Sequence, residues 1–271
     1  MLIRKLKSFP GSVALILLAF VSMAAARQPG FFNNQAKTGS NLSDSLITAA
    51  PAPPPVCLNE EAELYAKKFA QRNTYTLDIV TKRSKTYFPI MERILVSHGL
   101  PKELKYLAVI ESNLSTKSKS RVGAVGLWQL MPVTARWMGL KVNERQDERT
   151  HASKSTHAAA KYLKILYKMF KGDWLLTIAA YNSGPGPVLE AIKKTGSRNF
   201  WKLQNHLPKE TRHHVKRFIS VHYYFEGTAG ETTQTKSEWN EYLQVVEEFW
   251  TAQKDTLETE DILVKADVLT N

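Results

Sequence analysis

The chain has 271 residues, 43% of them hydrophobic and 10% aromatic, which is long and apolar enough for one or two packed domains and excludes a wholly disordered protein. Its formal net charge of +12 points to an anionic partner, with nucleic acid, an anionic membrane and an acidic wall polymer all open on charge alone. A single cysteine, Cys57, excludes an intramolecular disulfide, and without a CxxC or Cys/His cluster neither a metal nor a cofactor is expected.

Residues 1–26 combine a basic start, a short apolar run at 13–21 and an Ala24-Ala25-Ala26 exit. These are the three parts of a secretory signal peptide, and the run is short for a membrane span. Export to the bacterial envelope, most simply the periplasm, is the expectation, with membrane contact only if the segment stays uncleaved. Export also argues against nucleic acid as the partner. Residues 27–58, rich in Pro, Ser and Asn, read as a disordered linker.

A globular body is expected over 59–227, entirely helical in pattern. Leu64, Tyr65, Phe69, Tyr75 and Ile79 predict a helix over 60–83, and Phe88, Met91, Leu95 and His98 another over 87–98, stopped by Gly99-Leu100-Pro101. Leu104, Leu107, Ala108 and Glu111 share one face of the next, so a carboxylate closes an apolar stripe. A basic loop follows, reaching Gly126-Leu127-Trp128-Gln129-Leu130-Met131, and Pro132 opens a short helix that ends at Gly139. Further helices fit 153–170, then 174–181 with Asp173 as N-cap, then 188–194 and 209–226. No strand is predicted.

Charge divides the chain unevenly. Residues 228–271 hold ten acidic and three basic side chains, leaving +19 on residues 1–227. This acidic segment carries one amphipathic helix over 237–254, expected to dock on its own domain or to engage an envelope protein partner.

Glu111 by itself is ambiguous. Desolvation raises a carboxyl pKa and suits a general acid, yet most charges beside apolar faces are structural. The ordered set Glu111-Ser112, Gly126-Leu127-Trp128-Gln129 and Ala180-Tyr181-Asn182 closely resembles the catalytic domain of lytic transglycosylases of glycoside hydrolase family 23, the goose-type-lysozyme-like group. The match runs over about 100–226. The resemblance implies a mainly α, lysozyme-like domain that cleaves the MurNAc-β-1,4-GlcNAc bond of peptidoglycan glycan strands and leaves 1,6-anhydro ends. It further implies Glu111 as acid and then base, with Ser120, Gly126, Gln129, Met131, Tyr181 and Asn182 contacting or lining the sugar groove. Physically, a carboxyl that has given up its proton is the base of the following step.

Two departures stand out. His214 occupies the position where the family motif Glu-Thr-Arg-x-Tyr-Val has tyrosine; it is expected to face the groove in its place, donating a hydrogen bond or acting on Glu111 by its charge, with a satisfied histidine on a helix as the structural alternative. No LysM glycan-binding repeat is visible before Asn271, so wall affinity is expected from the basic body, the groove or a partner. A lysozyme-type hydrolase and a non-catalytic wall-binding scaffold of the same fold are the competing readings.

Overall fold

The computed structural model describes residues 51–270, so the expected signal peptide and all but the end of the expected linker lie outside the described residues. Among the described residues there are helices and turns but no strand, and isolated bridges join Lys119 to Val125, Val125 to Leu130 and Val142 to Asp147. No helix among them is long and apolar enough to cross a membrane.

The first two helices divide at a point the apolar spacing does not reveal. α1 spans Glu60–Arg72 and α2 spans Thr74–Ser97. Asn73 separates them because its side chain Nδ2 and its backbone N–H both turn back to the Phe69 carbonyl, at 2.8 and 3.1 Å. α2 then runs unbroken across residues 84–86, where the apolar spacing predicts a gap between two helices, and on through Pro89. An internal proline costs a backbone donor. Buried Leu77, Val80, Met91, Ile94 and Leu95 on either side of it supply the packing that keeps the helix whole.

A 3₁₀ turn, Lys102–Leu104, leads into α3, Lys105–Ser112, whose outer end is anchored by charge. The Lys105 ammonium is buried, 2.6 Å from Glu92 and 3.4 Å from Glu226, and lies over the rings of Phe88 and Tyr106. Glu226 also accepts the Tyr106 hydroxyl. The short helix therefore starts from a fixed point, and Glu111 sits at its other end.

α4, Pro132–Trp137, is opened by the expected proline, and α5, Ala152–Met169, lays Ala158, Ala159, Leu163 and Leu166 into the core. α6, Trp174–Ser183, is buried on every side from Trp174 to Ala180, as a helix apolar all round must be. The Asp173 side chain caps it by accepting from Leu176 N at 2.9 Å. α7, Pro185–Thr195, and the short α8, Phe200–Leu203, follow, the latter not foreseen from the spacing.

α9, Lys209–Glu226, has the predicted bounds and packs against α1, α3 and α6, holding α1 through Lys216 and Glu61 at 2.6 Å. Beyond it, α10 spans Lys236–Thr270, longer than the 237–254 expected from its stripe. Its first turn is tied to the body. Lys236 N donates to Asp173, Glu238 accepts from Trp201 Nε1, and Gln234, just before the helix, donates to the Cys57 carbonyl.

Candidate active site

α3, α6 and α9 converge on one carboxyl group, that of Glu111. Its side chain is 15% exposed, and Oε1 lies 2.8 Å from Nε2 of His214, whose own side chain is 2% exposed. The two residues are 103 positions apart, so only the packing of α9 on α3 brings them together. Tyr181 arrives from α6. Its hydroxyl donates to the Trp128 carbonyl at 2.7 Å, and burial, helped by the nearby Glu111 charge, pushes the phenol well above its usual range. Tyr181 thus remains a protonated donor that ties α6 to the loop over the site.

That loop is shaped by unusual backbone. Asn113 and Leu114, directly after α3, and Gln129 all have positive φ, at 50°, 58° and 45°. Left-handed conformations in non-glycine residues carry strain, and a cluster of them is characteristic of functional sites. Arg83 Nη1 holds the Asn113 carbonyl at 2.8 Å, and the Ser112 hydroxyl donates to the Leu127 carbonyl at 2.9 Å, fastening the end of α3 to the returning loop.

The other candidates fall into place unequally. Gln129 donates through Nε2 to the carbonyls of Gly126 and Ser118, at 2.9 and 3.1 Å, so its amide nitrogen braces the loop. The Ser120 hydroxyl accepts from Ala124 N at 2.9 Å within a tight turn. Gly126, at φ 85°, packs its α-carbon against the Arg149 carbonyl. Asn182 accepts from the Thr211 hydroxyl at 2.9 Å, joining α6 to α9. Met131 is 41% exposed at the end of the loop. Trp128 is a core anchor, fully buried with Nε1 donating to Thr156 at 2.9 Å.

Two further residues matter that the sequence reading did not single out. Arg149 is buried beneath the loop, its Nη1 donating to the carbonyls of Gly123 and Leu130 at 2.7 and 2.9 Å. Asp147 orients it through paired contacts, and the Arg149 hydrogen bond holds the Asp147 carboxyl below its ordinary range. Trp137 is 64% exposed on α4. Its ring meets Tyr162 edge-on and Tyr162 meets Tyr181, so a line of aromatic rings runs from the surface to the site. Among the described residues, no group of three metal-ligating side chains is present.

Residues 89–204 match the family model described as the Transglycosylase SLT domain, a stretch that contains every candidate except His214. This part of the chain is similar to transglycosylase SLT domains. Over 167 residues the chain is 36% identical to membrane-bound lytic murein transglycosylase D of Escherichia coli (strain K12), covering 60% of this chain and 36% of that protein. It is 29% identical over 137 residues to the soluble lytic murein transglycosylase of Salmonella typhimurium, covering 48% of this chain and 21% of that protein. The chain therefore spans about a third or less of the length of these relatives. Among solved structures, the 70 kDa soluble lytic transglycosylase from Escherichia coli superposes with a TM-score of 0.50 at 23% identity, covering 66% of this chain and 32% of that one. The same 70 kDa enzyme in complex with bulgecin A gives 0.51 at 22%, again covering 66% and 32%. At that identity the likeness establishes the fold alone, which is mainly α and lysozyme-like.

Proposed function

We propose that the chain is an exported peptidoglycan lytic transglycosylase of the SLT family that cleaves the MurNAc-β-1,4-GlcNAc bond without water. The observation that carries this reading is the setting of Glu111. It is a carboxyl at the end of a buried helix, mostly enclosed, in contact with a histidine and near a tyrosine, with no second acidic residue between it and Met131. Glycosidases that use water or an enzyme nucleophile generally need two carboxylates. One suffices when the substrate supplies the nucleophile.

In this scheme Glu111 gives its proton to the glycosidic oxygen as the bond to the MurNAc anomeric carbon breaks, with the 2-acetamido oxygen supporting that carbon. The resulting carboxylate takes the proton of the muramic 6-hydroxyl, whose oxygen bonds to the same carbon and closes the 1,6-anhydro ring. Proton and bond counts balance, and Glu111 ends as it began. Ser120, Gly126, Gln129, Met131, Tyr181, Asn182 and His214 form the surrounding groove, with the loop residues acting mainly by shape. The names of the relatives, lytic murein transglycosylases, support the substrate class. Export rests on the sequence of residues 1–26, and the basic body suits the acidic groups of the wall.

Digestion of purified sacculi followed by mass spectrometry tests the proposal, with Glu111→Gln as control. Anhydro-muramic ends that vanish in the variant are expected. Reducing ends would mean a hydrolase, and no products from the wild-type chain would mean a non-catalytic wall-binding protein.

A further inference from the structure

His214 stands where the resembling family carries tyrosine, and its protonation is constrained by what surrounds it. Nε2 faces Glu111 Oε1 at 2.8 Å, while Nδ1 is buried and meets no hydrogen-bonding group among the described residues. A neutral imidazole carries one proton, on either nitrogen, and an imidazolium carries both. Orphaned buried N–H groups are rarer in folded proteins than under-satisfied acceptors. Both the Nδ1–H tautomer and the imidazolium would place such an orphan at Nδ1. Only the neutral Nε2–H tautomer avoids it.

The geometry therefore points to a positioning residue: we infer that His214 is a neutral donor whose Nε2–H fixes Oε1 of Glu111 as an acceptor and leaves the acid proton to Oε2. This deepens the reading of Glu111 as the catalytic group and rests on it. The donor serves both halves of the scheme. It orients the protonated carboxyl before transfer, and it stabilises the carboxylate afterwards, since a hydrogen bond to the charged form favours that form. Neighbouring groups are committed elsewhere. From α6, the Tyr181 hydroxyl is engaged by the Trp128 carbonyl, and on α9 itself Lys216 is turned to Glu61 of α1. A tyrosine in this position would also donate through its hydroxyl, so the exchange keeps the donor and changes only the group that bears it.

Two measurements test the inference. In ¹⁵N-labelled wild-type protein near neutral pH, long-range proton–nitrogen correlations of His214 should show a protonated Nε2 and a bare Nδ1. In steady-state assays on glycan strands, His214→Phe should lower kcat about tenfold to a hundredfold, the range of a lost hydrogen bond to a charged group, with KM changed less than about twofold. His214→Tyr and His214→Gln, which restore a donor, should keep kcat within about fivefold of wild type. An imidazolium or an Nδ1–H tautomer in the wild-type protein would overturn the inference, as would a His214→Phe variant with wild-type kcat or a loss that neither donor variant rescues. The tautomer is read on unmutated protein, so it decides the assignment even if the phenylalanine variant fails to fold. A wild-type chain that forms no anhydro ends would instead sink the proposed function, leaving the tautomer measurement intact.

Discussion

Gly126→Ala measures how firmly the loop over the site is fastened to the body. Gly126 has φ 85°, and a Cβ built there lies 2.1 Å from the Arg149 carbonyl oxygen and 2.9 Å from its carbon. The conformational part of the cost, a side chain in the left-handed region, is about 1 kcal/mol. The steric part is larger, because relieving the contact means parting two backbone segments by about 1 Å, and overpacking of that kind costs roughly 1–3 kcal/mol or more. Arg149 cannot easily yield. Its guanidinium is bonded to the carbonyls of Gly123 and Leu130 on the same loop, so moving it strains the loop at two further points. A total of about 2–4 kcal/mol is expected. Gly196→Ala is the control, since Gly196 has a similar positive φ of 64° but open space around it, so that only the conformational cost of about 1 kcal/mol applies. Urea denaturation of both variants, followed by circular dichroism, gives the comparison, and murein zymography should show clearing lost in Gly126→Ala but kept in Gly196→Ala. Equal destabilisation of the two variants would refute the steric argument.

Three further outcomes are expected. Burial lowers the His222 pKa from 6.5 to about 4, so between those values the unfolded chain holds a proton that the folded chain does not. Stability should then fall on acidification from pH 7 to pH 5 by about 2 kcal/mol, and urea midpoints at the two pH values should show a drop that His222→Gln removes. Asp173→Ala deletes acceptors for Leu176 N and Lys236 N and should cost about 2 kcal/mol, with a matching fall in the thermal midpoint; a change under about 0.5 kcal/mol would count against the capping role. Trp137→Ala should leave stability within about 1 kcal/mol, because the ring is 64% exposed, while raising KM for glycan strands severalfold at nearly constant kcat; an unchanged KM would remove the aromatic line from the substrate path.

How much of the fold could be read beforehand depended on what ends each helix. α9 was legible to the residue, because Pro208 precedes it, Gly227 follows it and its apolar positions keep one register between them. α6 was legible from Asp173 and from the run of glycines and prolines after it. The break between α1 and α2 was not, since Asn73 ends α1 by turning back on the Phe69 carbonyl, and an asparagine among helix-compatible residues does not announce that role. The continuity of α2 was hidden too, because residues 84–86 interrupt the apolar spacing, and the packing of Leu77 and Val80 on one side and Met91 and Leu95 on the other carries the helix through them.

The site divides along similar lines. Glu111, Tyr181 and Gly126 could be singled out because each sits in a short motif that resembles the family's, and the close approach of the Arg149 carbonyl leaves no room for a Cβ at Gly126. Arg149 was not, because its function is to fill the carbonyls of Gly123 and Leu130 from a segment whose own sequence carries no periodic or motif signal. His214 lies between these cases. Its motif marked it as the position that disagreed, and the sequence left three readings open: a donor into the groove, a charge acting on Glu111, or a satisfied histidine on a helix. What gives the replacement meaning is the enclosed Nδ1, a property of the packing of α9 against α3 and α6 and of nothing local to residue 214. A residue that looks like a lost motif position in one dimension is, in three, in direct contact with the Glu111 carboxyl.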